Sequence, residues 1–147
     1  GEGNGQRNLG LSAMYIGGPF GAGLAWQSVE KGTGAFNPRT DTWQLGGSYN
    51  VAPFKLYAQY GSTDNKTVNN TTTVIGLGGE MAVSGVGKVL LQWDKLSPDV
   101  GAGRKTLSLG YDHLLSKRTD LYAVYMNDKL SGLSAGNSYA VGVRHRF

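Results

Sequence analysis

The chain of 147 residues contains no cysteine, which excludes a disulfide scaffold, thiol catalysis and cysteine-based zinc sites. Charge is scarce as well. Asp, Glu, Lys and Arg together make up 16% of the residues, against roughly 25% in ordinary soluble domains. No apolar run approaches the ~18 residues that mark a membrane helix. The mean hydropathy of −0.28 would by itself suggest a water-soluble protein. That inference is unsafe, because strands that alternate apolar and polar residues average to unremarkable hydropathy even when one face meets lipid. The net charge of +4 suits an anion-attracting channel or a weak nucleic-acid binder equally well.

Glycine is abundant, at 24 residues, and Tyr (8) outnumbers Phe (4). The dominant pattern has period two. Leu9, Leu11, Ala13 and Tyr15 share one face, as do Phe20, Ala22, Leu24 and Trp26. The pattern recurs at Trp43, Leu45, Gly47, Tyr49 and Val51, opposed by Gln44, Gly46 and Ser48. Leu56, Ala58 and Tyr60 continue it, then Ile75, Leu77, Gly79 and Met81. Val89, Leu91 and Trp93 oppose Lys88, Gln92 and Asp94, with Leu90 out of pattern. Leu107, Leu109 and Tyr111, then Leu121, Ala123 and Tyr125, and finally Tyr139, Val141, Val143, His145 and Phe147 complete the series. About nine strands result, each close to the ~9–11 residues that cross a bilayer obliquely. The fold expected is all-β: a transmembrane, antiparallel, up-and-down β-barrel segment forming a single unit over residues 1–147.

The connections are sorted. Short ones fall at residues 17–19, 52–53, 84–87 and 116–118, and long polar ones at residues 30–40, 62–72, 97–103 and 128–137. Tight turns at one end and long loops at the other characterise outer-membrane barrels. The aromatic residues follow the same division. Trp26, Trp43 and Trp93 lie toward the long-loop ends of their strands, while Tyr49, Phe54 and Phe147 lie toward the short turns. Two girdles of amphipathic rings are expected at the two membrane interfaces.

No catalytic set emerges, and neither an enzyme nor a cofactor is expected. His113 and His145 fall on the apolar side near the short-turn rim, which gives little support to a shared metal site. The stretch Gly101-Ala-Gly103-Arg104-Lys105-Thr106 lacks phosphate-loop spacing and opens a strand rather than a helix. Asn65-Lys66-Thr67 and Asn69-Asn70-Thr71 read as turn residues. The functional candidates line the polar face: Lys55, Lys88, Arg144 and Arg146, accompanied by Glu80, Asp112 and Asp120, with Gln44 and Gln92 among them. A low-dielectric wall focuses such charges into an aqueous bore, so a cationic excess implies a mild anion preference. Bracing of the wall by cross-strand ion pairs is an equal alternative for any one of them. Glycines 21, 23, 46, 76, 78, 110 and 142 on that face spare bore volume and ease strand coiling.

The ending Val141-Gly-Val-Arg-His-Arg-Phe147, preceded by Leu114-Leu-Ser-Lys-Arg-Thr-Asp-Leu-Tyr122, resembles the general porins of neisserial and other β-proteobacterial outer membranes. The resemblance covers essentially the whole chain but corresponds to the C-terminal half of such a porin. It implies a homotrimer of sixteen-stranded barrels in the outer membrane of a Gram-negative bacterium. Ions and small hydrophilic solutes would cross by passive diffusion. It further implies contact with membrane lipid and lipopolysaccharide, no nucleic-acid partner, and a terminal Phe147 read as an assembly signal by the barrel-assembly machinery. An odd strand count departs from the even number usual in bacterial barrels. Counting back from the C-terminus makes the first strand descend and places residues 1–8 in an extracellular loop, as though the chain were cut there. A missing N-terminal porin half is therefore the expected companion. A small closed structural or adhesive barrel without a pore is the alternative.

Overall fold

A computed structural model describes residues 7–32 and 38–147. Nine strands follow one another: β1 (Arg7–Gly17), β2 (Phe20–Glu30), β3 (Arg39–Val51), β4 (Phe54–Asn65), β5 (Asn70–Ala82), β6 (Gly87–Pro98), β7 (Arg104–Ser116), β8 (Thr119–Leu130) and β9 (Gly136–His145). Each pairs antiparallel with its sequence neighbour, in one sheet of order β1 to β9. Among the described residues β1 and β9 do not pair with each other, so the sheet stays open at both edges.

The register makes each face continuous. Leu11 stands opposite Trp26, Trp26 opposite Trp43, Leu45 opposite Tyr60 and Ala58 opposite Leu77. The row continues from Leu77 to Trp93, and from Leu91 through Leu109 and Tyr125 to Tyr139. A one-residue slip anywhere would send a strand's apolar set to the other side, and the sheet shows none across the membrane-crossing stretch. The one irregularity lies between Leu114 and Ser116 at the short-turn end of β7, where an extra residue acts as a bulge.

Among the described residues there is no apolar core. No hydrophobic residue among those described is buried, while Leu11 is 71% and Val141 76% exposed. A chain this size that folded in water would bury a substantial core. A continuous apolar face of this extent needs a covering medium. Closed pairing of backbone groups is what allows strands to span lipid. The polar face is the more crowded one: along β7, Thr106, Ser108, Gly110 and Asp112 are less exposed than the alternating Leu107, Leu109 and Tyr111. That asymmetry is what a curved wall produces when its concave side is polar.

The strands run further than the hydropathy contrast suggests. The long connection expected over residues 62–72 contracts to 66–69, because Ser62, Thr63, Asp64 and Asn65 pair with Thr73, Thr72, Thr71 and Asn70. Thr42 and Thr63 add a hydroxyl contact of 3.2 Å. Above the membrane both faces of a hairpin meet water, so alternation vanishes there although the ladder continues. Similar extension shortens the connections after β6 and β8 to residues 99–103 and 131–135. At the other end of the chain, Arg7 and Asn8 belong to β1 rather than to a loop over 1–8, and β9 closes at His145, two residues before the end of the alternating pattern. Residues 1–6 of that expected loop, and 33–37 of the connection after β2, lie outside the described residues. In the turn at 66–69, Asn65 Oδ1 accepts from the Thr67 amide at 3.1 Å and Asn69 adopts φ 47°. These asparagines therefore do turn work.

Candidate functional site

The two faces set the candidate site. Trp26, Trp43, Trp93, Tyr49 and Phe54 stand on the apolar face, with Phe147 beyond the end of β9. Rings meet in two tiers. Trp43 and Tyr60, and Tyr125 and Tyr139, are each 5.2 Å apart toward the long loops. Phe20 and Tyr49 (4.8 Å) and His145 and Phe147 (5.0 Å) meet toward the short turns. From Trp43 to Tyr49 is six residues, about 20 Å of strand, so an aliphatic band separates the tiers. His113 and His145 each have a local partner, Tyr111 Oη at 3.2 Å and Thr119 Oγ1 at 2.8 Å. Among the described residues no group of three ligands could hold a metal.

The polar face carries Gln44, Lys55, Glu80, Lys88, Gln92, Asp112, Arg144 and Arg146, and the register draws the charged ones into a belt near the short turns. Lys55 lies opposite Glu80, Lys88 opposite Asp112, and Asp120 opposite Arg144. The belt has a loose half and a tight half. In the loose half, Lys88 Nζ is 3.9 Å from Glu80 Oε2, and Lys55 rests over the Tyr57 ring at 5.2 Å. In the tight half, Arg144 donates to Asp120 Oδ2 from Nε at 3.0 Å and from Nη2 at 2.7 Å, and reaches Asp112 at 3.3 Å. Arg146 Nη2 joins the same Asp120 oxygen at 3.3 Å. Asp120 is 2% exposed and is the one fully buried side chain among the described residues. Gln44 and Gln92 lie nearer mid-strand, Gln92 donating to Asp94 at 2.8 Å.

Asp120 was the least visible part of this arrangement in the sequence, where it reads only as an accompanying charge. Its role depends on the two-residue turn at 117–118 and on the β8–β9 register, which together put it beneath both arginines. A cross-strand match of Asp120 with Arg144 across the final hairpin is the signal that would have found it.

Formal charge on this face is balanced. Among the described residues, Lys55, Lys88, Arg104, Arg144 and Arg146 equal Glu80, Asp94, Asp112, Asp120 and Asp128 in number. Exposure is not balanced. The side chains of Arg144 and Arg146 are 52% and 59% exposed over the buried Asp120, and that of Lys88 is 44% exposed against 31% for Glu80. Arg104 likewise covers Asp128. In each of these pairs the cation is the more exposed partner, and at Asp120 the carboxylate is buried in the wall.

The glycines divide into two kinds. A Cβ on Gly46 or Gly23 would meet nothing closer than a backbone oxygen at 3.9 Å, so these positions leave space. At Gly142 it would fall 2.5 Å from Tyr122 Oη, and at Gly76 within 2.7 Å of Gln59 and Asp94. Those glycines are already covered by a neighbouring side chain, which lies flat along the wall. Shallow depressions of about 340 and 360 Å³ follow the glycine lines, the first beside Tyr57, Gln59 and Gln92, the second beside Ser12, Met14 and Gln44.

A family model described as Gram-negative porin matches residues 1–133. The chain is 35% identical to outer membrane porin protein 32 of Delftia acidovorans, over 94% of this chain and 42% of that protein. Among solved structures it superposes on an anion-selective porin from Comamonas acidovorans with a TM-score of 0.77 and 27% identity, covering 96% of this chain and 49% of that one. A trimer form of OmpT, an outer membrane protein of Vibrio cholerae, gives 0.73 at 12% identity, covering 95% and 56%. That last likeness concerns fold alone. The chain thus spans roughly two fifths to just over half the length of these relatives.

Proposed function

The chain belongs to the Gram-negative porin family, and from that premise we propose that it forms the C-terminal part of the wall of a water-filled outer-membrane channel. Ions and small hydrophilic solutes pass by diffusion, with a mild preference for anions. The observation that carries the preference is the exposure asymmetry of the ion pairs: the cations are the more exposed partners, modestly at Lys88 over Glu80 and strongly at Arg144 and Arg146 over the buried Asp120. Field lines from such a layer are focused by the low-dielectric wall. The pore-lining set is Gln44, Lys55, Glu80, Lys88, Gln92, Asp112, Arg144 and Arg146. Trp26, Trp43, Trp93, Tyr49, Phe54 and Phe147 take the membrane interfaces.

The open edges support a companion segment over a small closed barrel. β1 and β9 run in the same direction, toward the short turns, so antiparallel closure takes an odd number of further strands. A second copy inserted the same way would meet this sheet with parallel seams. An N-terminal porin half of seven strands meets the requirement. The assembled barrel is expected to be a homotrimer, in contact with lipid and lipopolysaccharide, with Phe147 read by the assembly machinery.

Planar-bilayer recordings on the porin carrying this chain test the proposal. Ohmic steps and an anion-biased reversal potential in a salt gradient are expected. Correctly assembled protein that conducts nothing would return the reading to a structural barrel, and a cation-biased potential would overturn the charge argument.

A further inference from the structure

Three lysines that the pore does not use stand in one row on the apolar side. Lys95 of β6 lies directly opposite Lys105 of β7, and Lys105 directly opposite Lys129 of β8. Lys95 is two residues beyond Trp93 and Lys105 two residues before Leu107, so alternation puts the row on the lipid-facing side, one step outside the Trp93 tier. Strand spacing makes the row roughly 10 Å long. Like charges directly opposite on adjacent strands repel. Among the described residues no carboxylate lies within ion-pair distance of any of the three, whereas Arg39, Lys66 and Arg104 at the same rim each have one. The position facing Lys95 from β5 is Ile75, which offers no compensation. The three lysines also line one groove of about 360 Å³, together with Ser97, Gly103 and Ser131. A row of uncompensated cations, a groove with hydroxyl groups, and an apolar surface immediately below describe a receptor for a multiply charged headgroup with acyl chains.

We propose that Lys95, Lys105 and Lys129 bind the phosphate-bearing headgroup of a lipid in the outer leaflet. The assignment rests on the reading that the apolar face meets the bilayer. Lipid, not free phosphate, is the occupant, because the Lys95–Lys105 pair stands two residues outside the Trp93–Leu107 pair on the same apolar face, along which acyl chains would run. The ammonium groups then take up the lipid's phosphate oxygens as charge-assisted hydrogen bonds, which removes the repulsion within the row.

The test uses the assembled porin in detergent, with phosphatidic acid and phosphatidylcholine titrated separately and retention read by native mass spectrometry. The wild type should retain phosphatidic acid at least tenfold better than phosphatidylcholine, and should lose that preference at high salt. At about fivefold per lysine near an anionic surface, the combined Lys95→Gln, Lys105→Gln and Lys129→Gln variant should bind phosphatidic acid on the order of a hundredfold more weakly. The corresponding triple arginine variant should keep most of the affinity. In phosphatidylcholine alone the glutamine variant should melt no lower than the wild type, since its substitutions remove repulsion.

Unchanged retention in the glutamine variant overturns the proposal. So does displacement of the lipid by millimolar inorganic phosphate, which would mark a free-phosphate site. Should the glutamine variant not assemble, as judged by heat-modifiable gel migration, the salt titration of the wild type decides, and salt-insensitive binding overturns the proposal. Conductance recorded in parallel keeps the two readings apart. A wild type that retains phosphatidic acid but does not conduct fails the channel and not the lipid site, and the reverse result fails only the lipid site.

Discussion

The two halves of the charged belt pair cations with carboxylates through different residues, Lys with Glu in one and Arg with Asp in the other, and do different work. On β4–β6, Lys55, Glu80 and Lys88 are part-exposed and loosely spaced, with the closest ion pair at 3.9 Å. On β7–β9, two arginines converge on one oxygen of a buried Asp120 at 2.7 to 3.3 Å. Exposed pairs are screened and contribute little to stability. A buried carboxylate is costly unless its partners hold it, so removing either side of the cluster disturbs folding. The loose half thus carries little of the stability, while the tight half must hold the last hairpin together. The same arginines that stand exposed on the polar face pin β9 to β8.

The largest effect that would sharpen this contrast is Asp120→Ala. It should lower stability by about 2–3 kcal/mol, read as the urea midpoint of the reconstituted porin by tryptophan fluorescence. Glu80→Ala should move that midpoint far less, and equal losses would erase the distinction between the halves. Next in size, Arg144→Gln with Arg146→Gln should lower both the unfolding midpoint and the anion bias of the reversal potential. Lys55→Gln with Lys88→Gln should lower the bias while leaving the midpoint almost in place. If the arginine pair changes bias alone, Asp120 is not an anchor.

Glycine gives a smaller and more local test of how tightly each region is built. Gly142→Ala would push a methyl into the Tyr122 ring beside the tight cluster and should cost about 1 kcal/mol. Gly46→Ala, with nothing closer than 3.9 Å, should stay within about 0.5 kcal/mol. Smallest of all, Arg104→Gln at the exposed rim pair with Asp128 should leave the midpoint unresolved from wild type, with or without added salt. A clear loss there would show that exposed pairs on this wall matter more than their screening implies.

How much of this was legible differs from residue to residue. Leu11, Trp26, Trp43 and Tyr139 announce the apolar face because they recur at period two, and lipid demands that period without exception across the bilayer. Ser62 to Asn65 and Asn70 to Thr73 did not announce their ladder. Above the membrane the same solvent bathes both sides, and a strand there carries no alternation to read. Lys55 and Lys88 could be placed on the polar face by counting. Whether Arg144 served selectivity or bracing could not be decided by counting, since both readings put it on the same face.

The Lys95–Lys105–Lys129 row shows the same division. Each lysine is unremarkable within its own strand, and only the pairing register sets the three side by side.

What the sequence by itself determined is the partition of side chains between two media, the number of strands and the sorting of turns from loops. All three follow from local periodicity and turn chemistry. What only the tertiary structure decided is which charges meet. Opposition across strands depends on register, and register is the sum of every turn and bulge between two positions. Burial of Asp120 beneath two arginines, and exposure of those arginines on the polar face, follow from that sum and from the curvature that crowds the concave face.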